Sequence, residues 1–151
     1  MSIIWKYLDK RAATIAALKD YDNMSFILRD TERQIEKAND RISTGGMKLD
    51  AQPSIHDPKS GEKQILAVVD QINILEERYN EAREYMDWFN PAWAQMNEED
   101  QYILKTFYAD NNYGCHAVYV IGDKLHMEDQ TVYKRKNRAL ARLTTLLFGK
   151  S

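Results

Sequence analysis

Between Asp129 and Leu147 two kinds of side chain alternate at helical spacing. Counting about 100° per residue from Val132, the residues Ala139, Leu140, Leu143 and Leu147 share its side, while Gln130, Tyr133, Lys134, Asn137 and Ala141 fall opposite. A glutamine can bond adenine through two hydrogen bonds, a lysine can reach O6 and N7 of guanine, and tyrosine and asparagine can contact base edges or backbone. Gln130, Thr131, Tyr133, Lys134 and Asn137 are therefore candidate base-reading residues. Lys136, Arg138 and Arg142 flank that face and are placed for duplex phosphates. The chemistry offered is recognition rather than bond-making.

Such a face needs an element that holds it outward. The stretch from Val120 to Leu143 reads as a short helix, a tight turn and a second helix, the layout of a helix-turn-helix, in which the second helix lies in the major groove. Ile121, Leu125, Met127 and Val132 bracket the turn and, with Leu140, form its expected core. Gly122 completes that set: a mid-helix glycine costs about 1 kcal/mol against alanine, so a close approach of the two helices is expected there. Charge supports the same segment. Residues 126–151 carry 6 Lys or Arg against 2 Asp or Glu, whereas 1–92 carry 13 against 16 and 93–125 carry 2 against 5.

Other chemistries find little material. Cys115 is the only cysteine, which excludes an internal disulfide and fits a reducing compartment. His56, His116 and His126 are scattered, so neither a metal nor a cofactor is expected. Glu98, Glu99 and Asp100 read as first-turn acids of a helix capped by Asn97 rather than as a catalytic pair. No glycine-rich phosphate loop and no nucleophile with a base is apparent, and the chain reads as a non-enzyme. It also lacks a signal-peptide core and any run of about 20 apolar residues, so a cytoplasmic protein without membrane contact is expected.

Upstream the sequence is helical nearly throughout. Ile65, Val68, Ile72, Leu75, Tyr79, Ala82, Met86 and Phe89 alternate by three and four, as do Met24, Leu28, Thr31, Ile35, Ala38 and Ile42. The two seams predict a helical hairpin joined by a loop near 45–58, where Gly45, Gly46, Pro53 and Pro58 cluster. A first helix over about 3–20, with Ile4, Leu8, Ala12, Ile15 and Leu18 on one stripe, is separated by a break at Tyr21-Asp22-Asn23 and would cover Met86, Trp88 and Phe89. A second copy of the hairpin could cover them instead, which makes residues 1–92 a homodimerisation candidate; an intramolecular three-helix bundle fits the same pattern. Asn90-Pro91 marks a boundary, so residues 93–151 form the second domain of an all-α chain. Trp5, Trp88 and Trp93 are expected at the junction.

The C-terminal motif resembles the fourth, DNA-binding region of bacterial sigma factors. Asn97-Glu98 opens the first helix, Val120-Ile-Gly-Asp-Lys-Leu-His-Met-Glu128 matches the second part, and Val132, Arg135, Ala139, Leu140 and Leu143 match the third. Leu125-His-Met127, the run Thr131 to Leu140 and the ending Leu146-Leu-Phe-Gly149 are similar to the ArpU family of prophage transcriptional regulators. His126 stands where the sigma-factor pattern usually has glycine, Arg135 stands where it is usually apolar, and Lys136 lies near the apolar face. The resemblance implies a phage or prophage regulator that binds double-stranded DNA and acts on late or autolysin-type genes. RNA polymerase is a further partner it suggests. A protein-interaction module built on a sigma-like domain, and a small phage DNA-packaging subunit, are the alternatives of the same architecture.

Overall fold

Few glycines and prolines interrupt the pattern, and among the described residues every regular element is a helix. The computed structural model describes residues 3, 7–43, 58–110 and 112–150. The chain is all-α: α1 (Lys10–Ser43), α2 (Pro58–Ala94), α3 (Glu98–Leu104), a π-helical turn (Lys105–Ala109), a 3₁₀ turn (Gly114–His116), α4 (Ala117–Leu125) and α5 (Asp129–Phe148). No helix among these residues is long and apolar enough to cross a membrane. The expected loop near 45–58, together with Ile4, Trp5 and His56, lies almost wholly outside the described residues.

Two compact units form: Met24–Glu84, and Met1–Asn23 with Tyr85–Ser151. The expected boundary after residue 92 therefore differs from this division, because Tyr85, Phe89 and Ala92 on α2 belong to the core of the C-terminal unit. Within Met24–Glu84 the seams are only partly buried: Thr31 and Ala38 on α1 and Val68, Leu75 and Ala82 on α2 are inward, Met24, Leu28, Ile35, Ile72 and Tyr79 are half-buried, and Ile42 and Ile65 are exposed. The Tyr79 hydroxyl donates to Glu32 at 2.9 Å, so the two helices lie side by side in this unit. Thr31 is unlike the chain's other buried threonines. Thr14 and Thr106 donate to the carbonyls of Lys10 and Tyr102, four residues back, whereas the buried Thr31 hydroxyl has no partner among the described residues.

The expected break at Tyr21-Asp22-Asn23 is absent, and α1 continues through it. These residues are only modest helix formers, each costing roughly half a kcal/mol against alanine, and tertiary packing outweighs that. Tyr21 packs on Phe89 and Trp93 at ring distances of 5.5 and 6.4 Å. The buried stripe here is also shifted: on α1 Thr14, Ala17 and Leu18 face the core, Ile15 is half-buried and Ala12 is exposed, while Leu8 precedes the helix and is exposed. Pro91, expected to end a helix, lies inside the last turn of α2. Having no N–H, it cannot donate to the carbonyl four residues back, and 3₁₀-type bonds from the N–H groups of Gln95 and Met96 to the carbonyls of Ala92 and Trp93 finish the helix just beyond it.

One cluster of the C-terminal unit joins Leu18, Phe89, Met96, Leu104, Ala139, Leu140 and Leu143; the other joins Ile103, Val118, Ile121 and Val132. Trp93 packs against the first, as expected of a junction residue, while Trp88 is 40% exposed and meets Phe148 edge-on at 5.4 Å.

Candidate nucleic-acid interface

The start of α3 positions the whole domain. Asn97 is its N-cap, its side chain accepting from the Asp100 backbone N–H at 2.7 Å, with Glu98, Glu99 and Asp100 in the first turn where the helix dipole favours acids. Ile103 and Leu104 follow, both fully buried. The chain then widens into the π turn, closed by Asp110 N–H donating to the Lys105 carbonyl at 2.8 Å. Two successive aromatic residues in that turn, Phe107 and Tyr108, bring their rings to 6.1 Å of each other.

The turn between α4 and α5 is built around one carbonyl. Gly122 C=O accepts from the backbone N–H of Met127 at 3.0 Å and also from that of His126. His126 accordingly takes the left-handed conformation, φ 54° and ψ 52°, which glycine would adopt without strain. A Cβ on Gly122 would meet the Met127 carbonyl oxygen at 2.9 Å, but the nearest atom of α5, Val132 Cγ2, only at 3.9 Å. The close approach expected at Gly122 thus exists, but it is with the backbone of the turn rather than with the crossing helix.

Val132 is fully buried against Ile103, Val118 and Ile121, with Leu125 and Met127 half-buried beside them. Leu140, expected in this core, belongs to the other cluster with Leu18 and Phe89, because it lies two helical turns farther along α5. With Val132 inward, Gln130, Thr131, Tyr133, Lys134, Asn137, Arg138 and Arg142 are all exposed.

Three of these side chains are engaged in ways the pattern does not disclose. Tyr133 packs on Phe107 at 6.1 Å. The Asn137 side-chain oxygen accepts from the guanidinium of Arg11, at the start of α1, at 3.1 Å. Arg142 donates to the Gln95 carbonyl at 3.3 Å. Lys136 is not an extended phosphate arm: it is half-buried, its ammonium 5.0, 5.3 and 6.0 Å from the rings of Phe107, Tyr133 and Tyr108. Burial first, and then the neighbouring Arg11 charge, lower its pKa. Burial raises that of Tyr108, an effect Arg11 partly offsets.

Arg135, at a position usually apolar in the motif it resembles, finds the acids of α3, with Glu99 at 2.7 Å and Asp100 at 3.8 Å. Arg11, which bonds Asn137 on the exposed face of α5, is a residue the sequence pattern does not mark. It is one cation among many in an acidic segment, and nothing in its spacing marks it.

No family model matches this chain, and neither does any curated protein or solved structure. Among the described residues no group of three or more His, Cys, Asp or Glu side chains is gathered as metal ligands.

Proposed function

We propose that the protein is a sequence-selective, duplex-DNA-binding transcriptional regulator that lays α5 in the major groove as the second helix of a helix-turn-helix. The observation that carries this reading is the division of α5. Val132, Ala139, Leu140 and Leu143 are fully buried or nearly so, while Gln130, Thr131, Lys134 and Asn137 stand exposed after a turn held by Gly122 and His126. Gln130, Thr131 and Lys134 contact base edges, Tyr133 presents its ring edge beside them, and Arg138 meets the backbone. The resemblance of residues 120–143 to sigma-factor and ArpU-type sequences supports a phage or prophage origin, action in the bacterial cytoplasm, and RNA polymerase as a second partner. Exposed apolar residues on the long helices, Leu66 and Ile74 among them, support a homodimer through that region.

The test is selection of bound duplexes from a random pool, followed by anisotropy on the preferred sequence at about 50 mM salt. Gln130→Ala and Lys134→Ala should each cost about 1–3 kcal/mol of discrimination at one base pair while leaving random-duplex affinity nearly unchanged. Enrichment of no sequence, or unaltered preference in both variants, would refute the assignment of this face.

A further inference from the structure

Arg11 and Lys136 are two cations brought to one side of α5 by different parts of the chain. Arg11 comes from the first turn of α1 and hydrogen-bonds Asn137, next in sequence to Lys136. Lys136 is fixed by three aromatic rings rather than by a carboxylate. Among the described residues neither cation forms an ion pair. Holding like charges together without a counter-charge is unfavourable, and it is relieved when an anion sits between them. Asn137 lies two turns into α5, beyond Gln130 and Lys134, where the rim of a groove occupied by the start of the helix would run.

We propose that Arg11, Lys136 and Asn137 form a binding site for one phosphate of the DNA backbone, so that the N-terminal helix is itself part of the DNA interface. This rests on the major-groove reading of α5 and assigns Asn137 a different task within it. Its carbonyl oxygen orients the Arg11 guanidinium, its amide N–H can donate to the phosphate, and it reads no base. The aromatic cradle keeps the Lys136 ammonium in place, so little side-chain freedom remains to be lost when the phosphate arrives. Asn137 and the Tyr108 hydroxyl orient the guanidinium, and its remaining N–H groups can donate to phosphate oxygens.

The experiment measures affinity of the full chain for a random-sequence duplex about two turns long across a salt series, with the preferred duplex alongside. Arg11→Gln should weaken both duplexes about five- to tenfold, make the slope of log affinity against log salt shallower by about one, and leave their ratio unchanged. Arg11→Lys should retain most of the slope, and Asn137→Ala should weaken both duplexes alike. Circular dichroism should be unchanged in Arg11→Gln, since the side chain is exposed. An unaltered slope in Arg11→Gln, while Lys134→Ala still loses base preference, would overturn this site and leave the reading of α5 standing. A changed ratio in Asn137→Ala would overturn the phosphate role of that residue. Absence of duplex binding by the unaltered protein would overturn both.

Discussion

Arg135 on α5 and Glu99 on α3 are joined at 2.7 Å, and the Nε of that arginine is buried without a partner among the described residues. The pair ties the two helices together yet leaves one donor unmet. Glu99 is 40% exposed, so solvent weakens the attraction and Glu99→Gln should cost only about 0.5 kcal/mol. Arg135→Met keeps the aliphatic packing, removes the orphaned donor and should be neutral or stabilising by about 1 kcal/mol. Urea denaturation of both variants checks the order, and a large loss in Arg135→Met would show that the pair holds the domain.

Gly122→Ala gains about 1 kcal/mol of helix propensity but drives a methyl onto the Met127 carbonyl at 2.9 Å, an atom of the backbone that cannot swing aside. The net loss should be about 1–2 kcal/mol. His126→Gly, at the residue whose backbone N–H donates to the Gly122 carbonyl, should act in the opposite direction and stabilise by about 0.5–1 kcal/mol by relieving the left-handed conformation. Thermal melts of the two variants should move to opposite sides of the unaltered protein.

Thr31→Val replaces a buried hydroxyl lacking a partner by a methyl of nearly the same volume. A gain of about 1 kcal/mol is expected, read from the denaturation midpoint. Loss of stability would mean that the hydroxyl is satisfied.

The Tyr85 hydroxyl donates to the Ala17 carbonyl, and burial, reinforced by Asp20, Tyr21 and Asp22, raises its pKa well above the ordinary value of 10.0. Folding therefore favours the protonated phenol. The stability it contributes is complete below pH 10 and is lost as pH rises above the unfolded value toward the folded one. Tyr85→Phe should cost about 1 kcal/mol near neutrality, and its deficit should shrink above about pH 10. A deficit independent of pH would contradict the shift. Lys136 bears the opposite sign: its folded pKa is depressed, so its penalty on the fold is present at neutral pH and fades as pH rises toward 10.5.

How much of this was legible in the linear chain depended on whether a local signal determined the outcome. The spacing of Val132, Ala139, Leu140 and Leu143 placed the inner side of α5 because burial of a helix follows its period. Asn97 with three acids marked the start of α3, since a cap is satisfied within its own turn. The break at Tyr21 and the stop at Pro91 were misplaced for the converse reason. Each residue's intrinsic preference is worth about 1–3 kcal/mol at most, and aromatic packing of Tyr21, Phe89 and Trp93 decides. Arg11 on Asn137, a separation of 126 positions, has no local signature at all. The π turn at Lys105–Ala109 was equally hidden, because Phe107 and Tyr108 fit an ordinary helix as well and carry no local mark of the wider turn.

The turn before α5 is specified by backbone: the Gly122 carbonyl, two N–H donors and one left-handed residue. Neither that device nor the buried row beginning at Val132 draws on Gln130, Thr131 or Lys134, and exposed substitutions of this kind usually change stability by less than about 0.5 kcal/mol. The residues that face solvent at the start of α5 and those that hold the fold can therefore vary independently, so this exposed face can be remade by exchanging those three residues without passing through an unstable intermediate sequence.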